Sequence, residues 1–86
     1  MPRIRYFAQA REAAGTPAEE VPGATVADVL AAAVERHGER LGDVLRTSAV
    51  WLDGDPCEPD DPVAIGGEVA VLPPVSGGFD RSGLWG

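Results

Sequence analysis

The stretch TVADVLAAAVERHG, residues 25–38, constrains the fold more than any other part of the chain. Thr25 is a good N-cap, and Asp28, three positions on, resembles an acidic capping box. Val26, Val29, Leu30, Ala33, Val34 and His37 recur at helical spacing and give the segment one apolar face. Gly38 is a natural stop after the last turn. An amphipathic helix of this kind must bury its stripe against another layer. Folding buries only roughly 60% of the unfolded surface at this size, so the 86-residue chain has room for one small core and one domain.

Short alternating segments supply the second layer. In RIRYFA, residues 3–8, Ile4, Tyr6 and Ala8 fall on one face and Arg3, Arg5 and Phe7 on the other, as in a half-buried strand. REAAGTP reads as a turn punctuated by Gly15 and Pro17, and AEEV, 18–21, as a second strand that completes a hairpin. After the helix, ERLGDVLR at 39–46 reads as a short helical turn with Leu41, Val44 and Leu45 inward. SAVWLD, 48–53, is another strand, and Asp53-Gly54 a strong turn signal because both residues tolerate positive φ. DPCEPDDPVAIGG carries three prolines, so it predicts a brief edge strand near Cys57 and an irregular crossing turned at Gly66-Gly67. EVAVLP, 68–73, is the last strand, with Val69 and Val71 on one face and Ala70 and Leu72 on the other; Pro73-Pro74 ends it. The order β-β-α-(turn)-β-β-β predicts an α+β fold, a mixed sheet packed on one main helix. The ubiquitin-like β-grasp is the natural arrangement for it.

Composition narrows the function. The formal net charge is −7, and every basic side chain is an arginine. An acidic chain repels phosphate backbones, which argues against nucleic acid and for a basic protein partner, although such a charge also simply keeps a small domain soluble. No segment has the form of a signal peptide or the roughly 20 apolar residues of a membrane span. The single cysteine, Cys57, cannot form an internal disulfide, and a cytoplasmic location is expected.

Candidate chemistry in the side chains is thin. Cys57 lies in a proline-rich edge without basic neighbours in sequence, and His37 ends a helix, where a cation suits the dipole. They make a poor nucleophile and base. The acidic run Asp53, Asp55, Glu58, Asp60, Asp61 lacks the glycine placement of a calcium loop, so no metal site is expected. Trp51 reads as core or sheet face. Phe7 is either exposed beside the arginines or packed under a loop.

Three stretches together carry a resemblance: RYFAQAREAAG at 5–15, the helix start Thr25-Val26-Ala27-Asp28, and GGEVAVLPPVSGG at 66–78. They resemble the MoaD/ThiS family of ubiquitin-like sulfur carriers, and within it the MoaD branch, the small subunits of molybdopterin synthases. The resemblance implies a carrier rather than an enzyme. A ubiquitin-activating-type adenylyltransferase (MoeB/ThiF-like) would use ATP to adenylate the carboxyl of Gly78, and sulfur transfer would then make a thiocarboxylate. A larger synthase subunit (MoaE-like), or another sulfur acceptor, would receive the sulfur. No cofactor is expected to stay bound to the carrier itself.

Neither step needs a side chain of the carrier, which has only to deliver a main-chain carboxyl into another protein. Gly77 and Gly78 suit this because a backbone without Cβ passes a narrow channel. Val75 to Gly78, extended, spans about 13 Å at roughly 3.3 Å per residue. Pro73 and Pro74 stiffen the exit and limit the entropy lost when the tail is ordered. The resemblance also places Phe7 and Leu72 in an apolar docking patch, with Pro73, Pro74, Val75 and Ser76 as the tail that engages the partner.

FDRSGLWG, residues 79–86, departs from the family pattern, in which the glycine pair is the terminus. Residues 1–78 are therefore expected to form the carrier domain and 79–86 a C-terminal extension. The amide bond to Phe79 occupies the carboxyl that must be free. Three origins stay open: a pro-segment that a peptidase removes between Gly78 and Phe79, an artificial appendage, or a lineage that has abandoned sulfur transfer and kept a binding module. Other readings of the carrier are a role in cysteine, thiamine thiazole or secondary-metabolite synthesis. A ubiquitin-like modifier joined to other proteins through Gly78 is a reading of a different class.

Overall fold

The computed structural model describes residues 1–74. Along them run β1 (Arg3–Tyr6), α1 (Ala8–Ala14), β2 (Ala18–Glu20), α2 (Val26–His37), α3 (Glu39–Leu45), β3 (Ala49–Leu52), β4 (Asp55–Pro56) and β5 (Glu68–Leu72). The strands form one sheet in the order β2-β1-β5-β3-β4. β1 and β5 lie parallel at its centre, while β1–β2, β3–β5 and β3–β4 are antiparallel. This mixed sheet, with α2 crossing between its two halves, is the expected β-grasp.

The capping box forms as the sequence predicts. Asp28 N–H donates to Thr25 Oγ1 at 3.2 Å, and Thr25 N–H donates to Asp28 Oδ2 at 3.3 Å. The proline-rich crossing serves the same helix end: Pro59 O accepts from Ala27 N–H and Asp61 O from Val26 N–H, at 2.8 and 3.0 Å. Donors that a helix start leaves without intrahelical partners are thus satisfied from a loop distant in sequence. The acidic run also works locally, since Asp61 Oδ2 accepts from Glu58 N–H and Asp53 Oδ1 from Glu68 N–H. Asp53 and Gly54, with φ of 51° and 88°, make the two-residue turn between β3 and β4.

One expectation fails. REAAGTP is not a turn: residues Ala8–Ala14 form helix α1, and Gly15, at φ 77°, caps it with its N–H on Arg11 O. Ala, Gln, Arg and Glu favour helix, and Ala10 and Ala14, four apart, are both buried. Seven residues are too few to hold a helix alone; packing on α3 stabilises this one. Ala8 consequently leaves the strand's buried face. It is exposed, and its φ of 51° swings the chain from extended Phe7 into α1. β1 and β2 still pair, but through a helical connection rather than a tight hairpin.

A single core joins the layers. Ile4, Tyr6, Val69 and Val71 from the sheet meet Val26, Val29 and Ala33 of α2, Leu41 of α3, and Ala10 and Ala14 of α1. Among the described residues all three helices share the core on one side of the sheet, and no helix covers the other side. No helix among the described residues is long and apolar enough to cross a membrane.

Candidate functional site

The open side of the sheet follows from period-two alternation across three strands. Buried Ile4 and Tyr6 alternate with exposed Arg3 and Arg5 in β1, and buried Val69 and Val71 alternate with Glu68, Ala70 and Leu72 in β5. Register aligns these sets. Ala70 stands opposite Arg5 on one side and Trp51 on the other, and Leu72 stands opposite Ala49. Small Ala70 between larger neighbours leaves a shallow concavity of about 500 Å³, with Phe7, Trp51, Leu72 and Pro73 among its walls.

Aromatic rings dominate this surface. Phe7 and Trp51 are each 37% exposed, and both line the concavity. Arg5 places its guanidinium 5.5 Å from the centre of the Phe7 ring, within cation–π range. Its Nε also lies 3.7 Å from Glu68 Oε2, so an ion pair rims the apolar centre. Phe7 is therefore on the open face, not packed under a loop.

The tail leaves from this same place. β5 is a central strand that ends at Leu72, and exposed Pro73 and Pro74 follow it. Proline has no N–H to give the ladder, so pairing stops there. A second recess of about 210 Å³ flanks the exit, lined by Phe7, Gln9, Val44, Thr47 and both prolines. Phe7, Leu72, Pro73 and Pro74 are thus brought together. Val75, Ser76, Gly77, Gly78 and Phe79, and the domain boundary at 78, lie outside the described residues.

Trp51 is the residue that sequence reasoning left undecided between core and surface. The signal was present: Val50 and Leu52 pack against the core, so Trp51 between them points the other way.

Cys57 and His37 have separate structural employment. Cys57 Sγ donates to Val50 O at 3.4 Å, and burial, then the charges of Asp61 and Glu58, push its thiol up. His37 Nε2 sits 2.5 Å from Glu19 Oε2, and its ring meets Tyr6 edge-on, with centroids 6.0 Å apart. Tyr6 Oη donates to the same carboxylate oxygen at 2.6 Å, and Arg36 Nη1 donates to Glu19 Oε1 at 3.1 Å. Burial alone would raise the Glu19 carboxyl, but these hydrogen bonds outweigh it and hold it below its ordinary value of 4.5. The cluster ties β1, β2 and α2 together behind the sheet, away from the open face.

A β-grasp sheet with an open face beside the end of its central strand defines a ubiquitin-like protein. Residues 4–78 match the ThiS family, and the chain belongs to it. It is 36% identical over 81 residues to a molybdopterin synthase sulfur carrier subunit of Chlamydomonas reinhardtii, covering 88% of this chain and 96% of that one. Among solved structures, it is similar to the small archaeal modifier protein SAMP1 of Haloferax volcanii, with a TM-score of 0.73 and 33% identity over 90% of this chain and 98% of that one. The small archaeal modifier protein 1 of Methanosarcina acetivorans superposes with a TM-score of 0.80 at 26% identity, covering 90% and 95%.

Proposed function

We propose that this chain is a sulfur carrier acting through the carboxyl of Gly78 in molybdopterin synthesis, as a non-catalytic small subunit. The observation that carries the reading is the exit of Pro73-Pro74 from the central strand beside an apolar open face, leading into Val75-Ser76-Gly77-Gly78, where the family match ends. The resemblance to a sulfur carrier subunit over most of both chains supports the choice of pathway. Cytoplasmic residence goes with it.

Removal of residues 79–86 by hydrolysis of the Gly78–Phe79 amide frees the carboxylate. An activating enzyme of the MoeB/ThiF type binds the open face, and the carboxylate displaces pyrophosphate from ATP to give an acyl adenylate. Hydrosulfide then attacks the acyl carbon and displaces AMP, leaving a thiocarboxylate. In the acceptor, a MoaE-like larger subunit, the sulfur passes to the pterin precursor. Phe7, Trp51 and Leu72 contribute docking area, the prolines limit the tail's freedom, and Gly77 lets the terminus through.

The test is the mass of the chain ending at Gly78 after incubation with activating enzyme, ATP and a sulfur source. A gain equal to the difference between sulfur and oxygen is expected, with none from the chain that keeps Phe79. Gly78→Ala in the shortened chain should form thiocarboxylate poorly; normal transfer by that variant would sink the channel reading.

The modifier reading is favoured by the two small archaeal modifier structures. With no lysine in its sequence the chain cannot form ubiquitin-style chains on its own side chains, though it could be joined to other proteins. Higher-mass adducts that survive denaturant and thiols in cells would select this reading over the carrier.

A further inference from the structure

Arg3 and Arg5 alternate with the buried residues of β1, but strand register gives them opposite surroundings. Arg3 stands between two carboxylates, Glu20 of β2 and Glu68 of β5, whereas Arg5 stands between Ala18 and Ala70. Arg5 is also the one of the two that lines the concavity, beside Phe7, Trp51 and Leu72. A cation is thus built into an apolar docking face with no carboxylate directly across from it.

Its hydrogen-bonding capacity is unused. The guanidinium has five N–H donors. Its Nε lies 3.7 Å from Glu68 Oε2, on the diagonal, which is longer than a hydrogen bond. Among the described residues no closer acceptor approaches it, and the half-exposed side chain leaves the donors to water. Arg36, almost equally exposed, is different: its Nη1 donates to Glu19 Oε1 at 3.1 Å and to Glu20 O at 3.3 Å. A partner that covers the concavity strips the water from Arg5. A charge buried without hydrogen bonds is costly, so the partner has to bring the acceptor.

We propose that Arg5 takes a carboxylate, an Asp or Glu side chain of the activating enzyme, at the rim of this face. A carboxylate accepts two parallel bonds from the guanidinium fork and balances its charge at the same time. The proposal rests on the reading that the activating enzyme binds the open face, and it adds the contact that fixes the register of docking. Apolar surfaces slide over one another; a bidentate pair does not. A partner without the carboxylate buries Arg5 unpaired, so the same residue rejects wrong partners.

Calorimetric titration of the activating enzyme with Arg5 variants tests the assignment. Every described element lies within residues 3–72, so the chain ending at Gly78 keeps the whole fold. Arg5→Met keeps the reach of the side chain and drops its charge; Arg5→Lys keeps both but loses the fork. Arg5→Met should weaken binding at least about thirtyfold, with Arg5→Lys between it and the parent. Arg3→Gln and Glu68→Gln should each change binding by less than about threefold. Arg5→Met binding as well as the parent, or better than Arg5→Lys, overturns the proposal. A loss from Glu68→Gln equal to that from Arg5→Met overturns it too, because the acceptor is then Glu68 itself. An equal loss from Arg3→Gln does the same, since only the field of the strand is then at work. Trp51→Ala separates the two readings. Weaker binding there with none lost in Arg5→Met removes the carboxylate and leaves the docking face; no loss in either removes the face as well.

Discussion

The Tyr6 hydroxyl donates to Glu19 at 2.6 Å, joining the middle of the sheet to its edge strand at a carboxylate that also takes Arg36 and His37 from the end of α2. Tyr6 is 1% exposed, so this bond satisfies a buried phenol that would otherwise lack an acceptor.

Stability should therefore depend on pH at both ends. The Glu19 carboxyl titrates below its ordinary 4.5, so its contribution is present above that value and is lost as pH falls through the lower, folded one. Burial, then the bond to Glu19, pushes the Tyr6 phenol far above its ordinary 10.0. That contribution is complete below 10.0 and fades as pH rises beyond it. Glu19→Gln should cost about 1–3 kcal/mol at pH near 7, and the gap to the parent should narrow near pH 3. Urea unfolding at the two pH values measures it; a gap that stays constant would remove the carboxylate's charge from the account.

Trp51 should matter to binding and little to folding. Trp51→Ala in the chain ending at Gly78 is expected to weaken docking to the activating enzyme by about 2 kcal/mol, close to thirtyfold. Ile65, 95% exposed and off the concavity, is the control. Ile65→Ser should leave both binding and stability within about 0.5 kcal/mol. Calorimetric titration compares them, and equal losses would move the docking site elsewhere.

Gly23 is fixed by close packing. A Cβ there would stand 2.6 Å from Val29 N and 2.7 Å from its Cγ2, inside the first turns of α2. Gly23→Ala should lower stability by about 1–3 kcal/mol through overpacking. Thermal unfolding at neutral pH reads the loss directly, and an unchanged midpoint would mean the loop before α2 can shift at no cost.

Cys57 should be inert. With its thiol pushed up by burial and acidic neighbours, little thiolate forms near pH 7. Iodoacetamide should modify it more slowly than free cysteine, and Cys57→Ala should transfer sulfur normally. Loss of transfer in that variant would bring a side-chain relay into the mechanism.

Much of the fold was legible because it rests on local chemistry. The Thr25–Asp28 capping box, the Asp53-Gly54 turn and the alternation of Val69 and Val71 each depend on residues a few positions apart. Helix α1 was not legible. Its seven residues carry no side-chain N-cap, begin at a positive φ on Ala8, and are stabilised by packing on α3. No local pattern announces a helix of that kind.

The tail motif, the acidic charge without lysine and the single strong helix belong to the sequence alone. Which side of the sheet stays open belongs to the tertiary structure. Among the described residues the helices share one core with Ile4, Tyr6, Val69 and Val71, so the alternate residues of β1, β3 and β5 lie together on the other side of the sheet. The Tyr6–Glu19–His37 cluster has the same origin, since its members come from three elements and meet only when those elements pack. Residues at positions 5, 7, 51, 70 and 72 become neighbours because strand register aligns them. Register is set by which faces are buried, a condition that exists only in the folded chain.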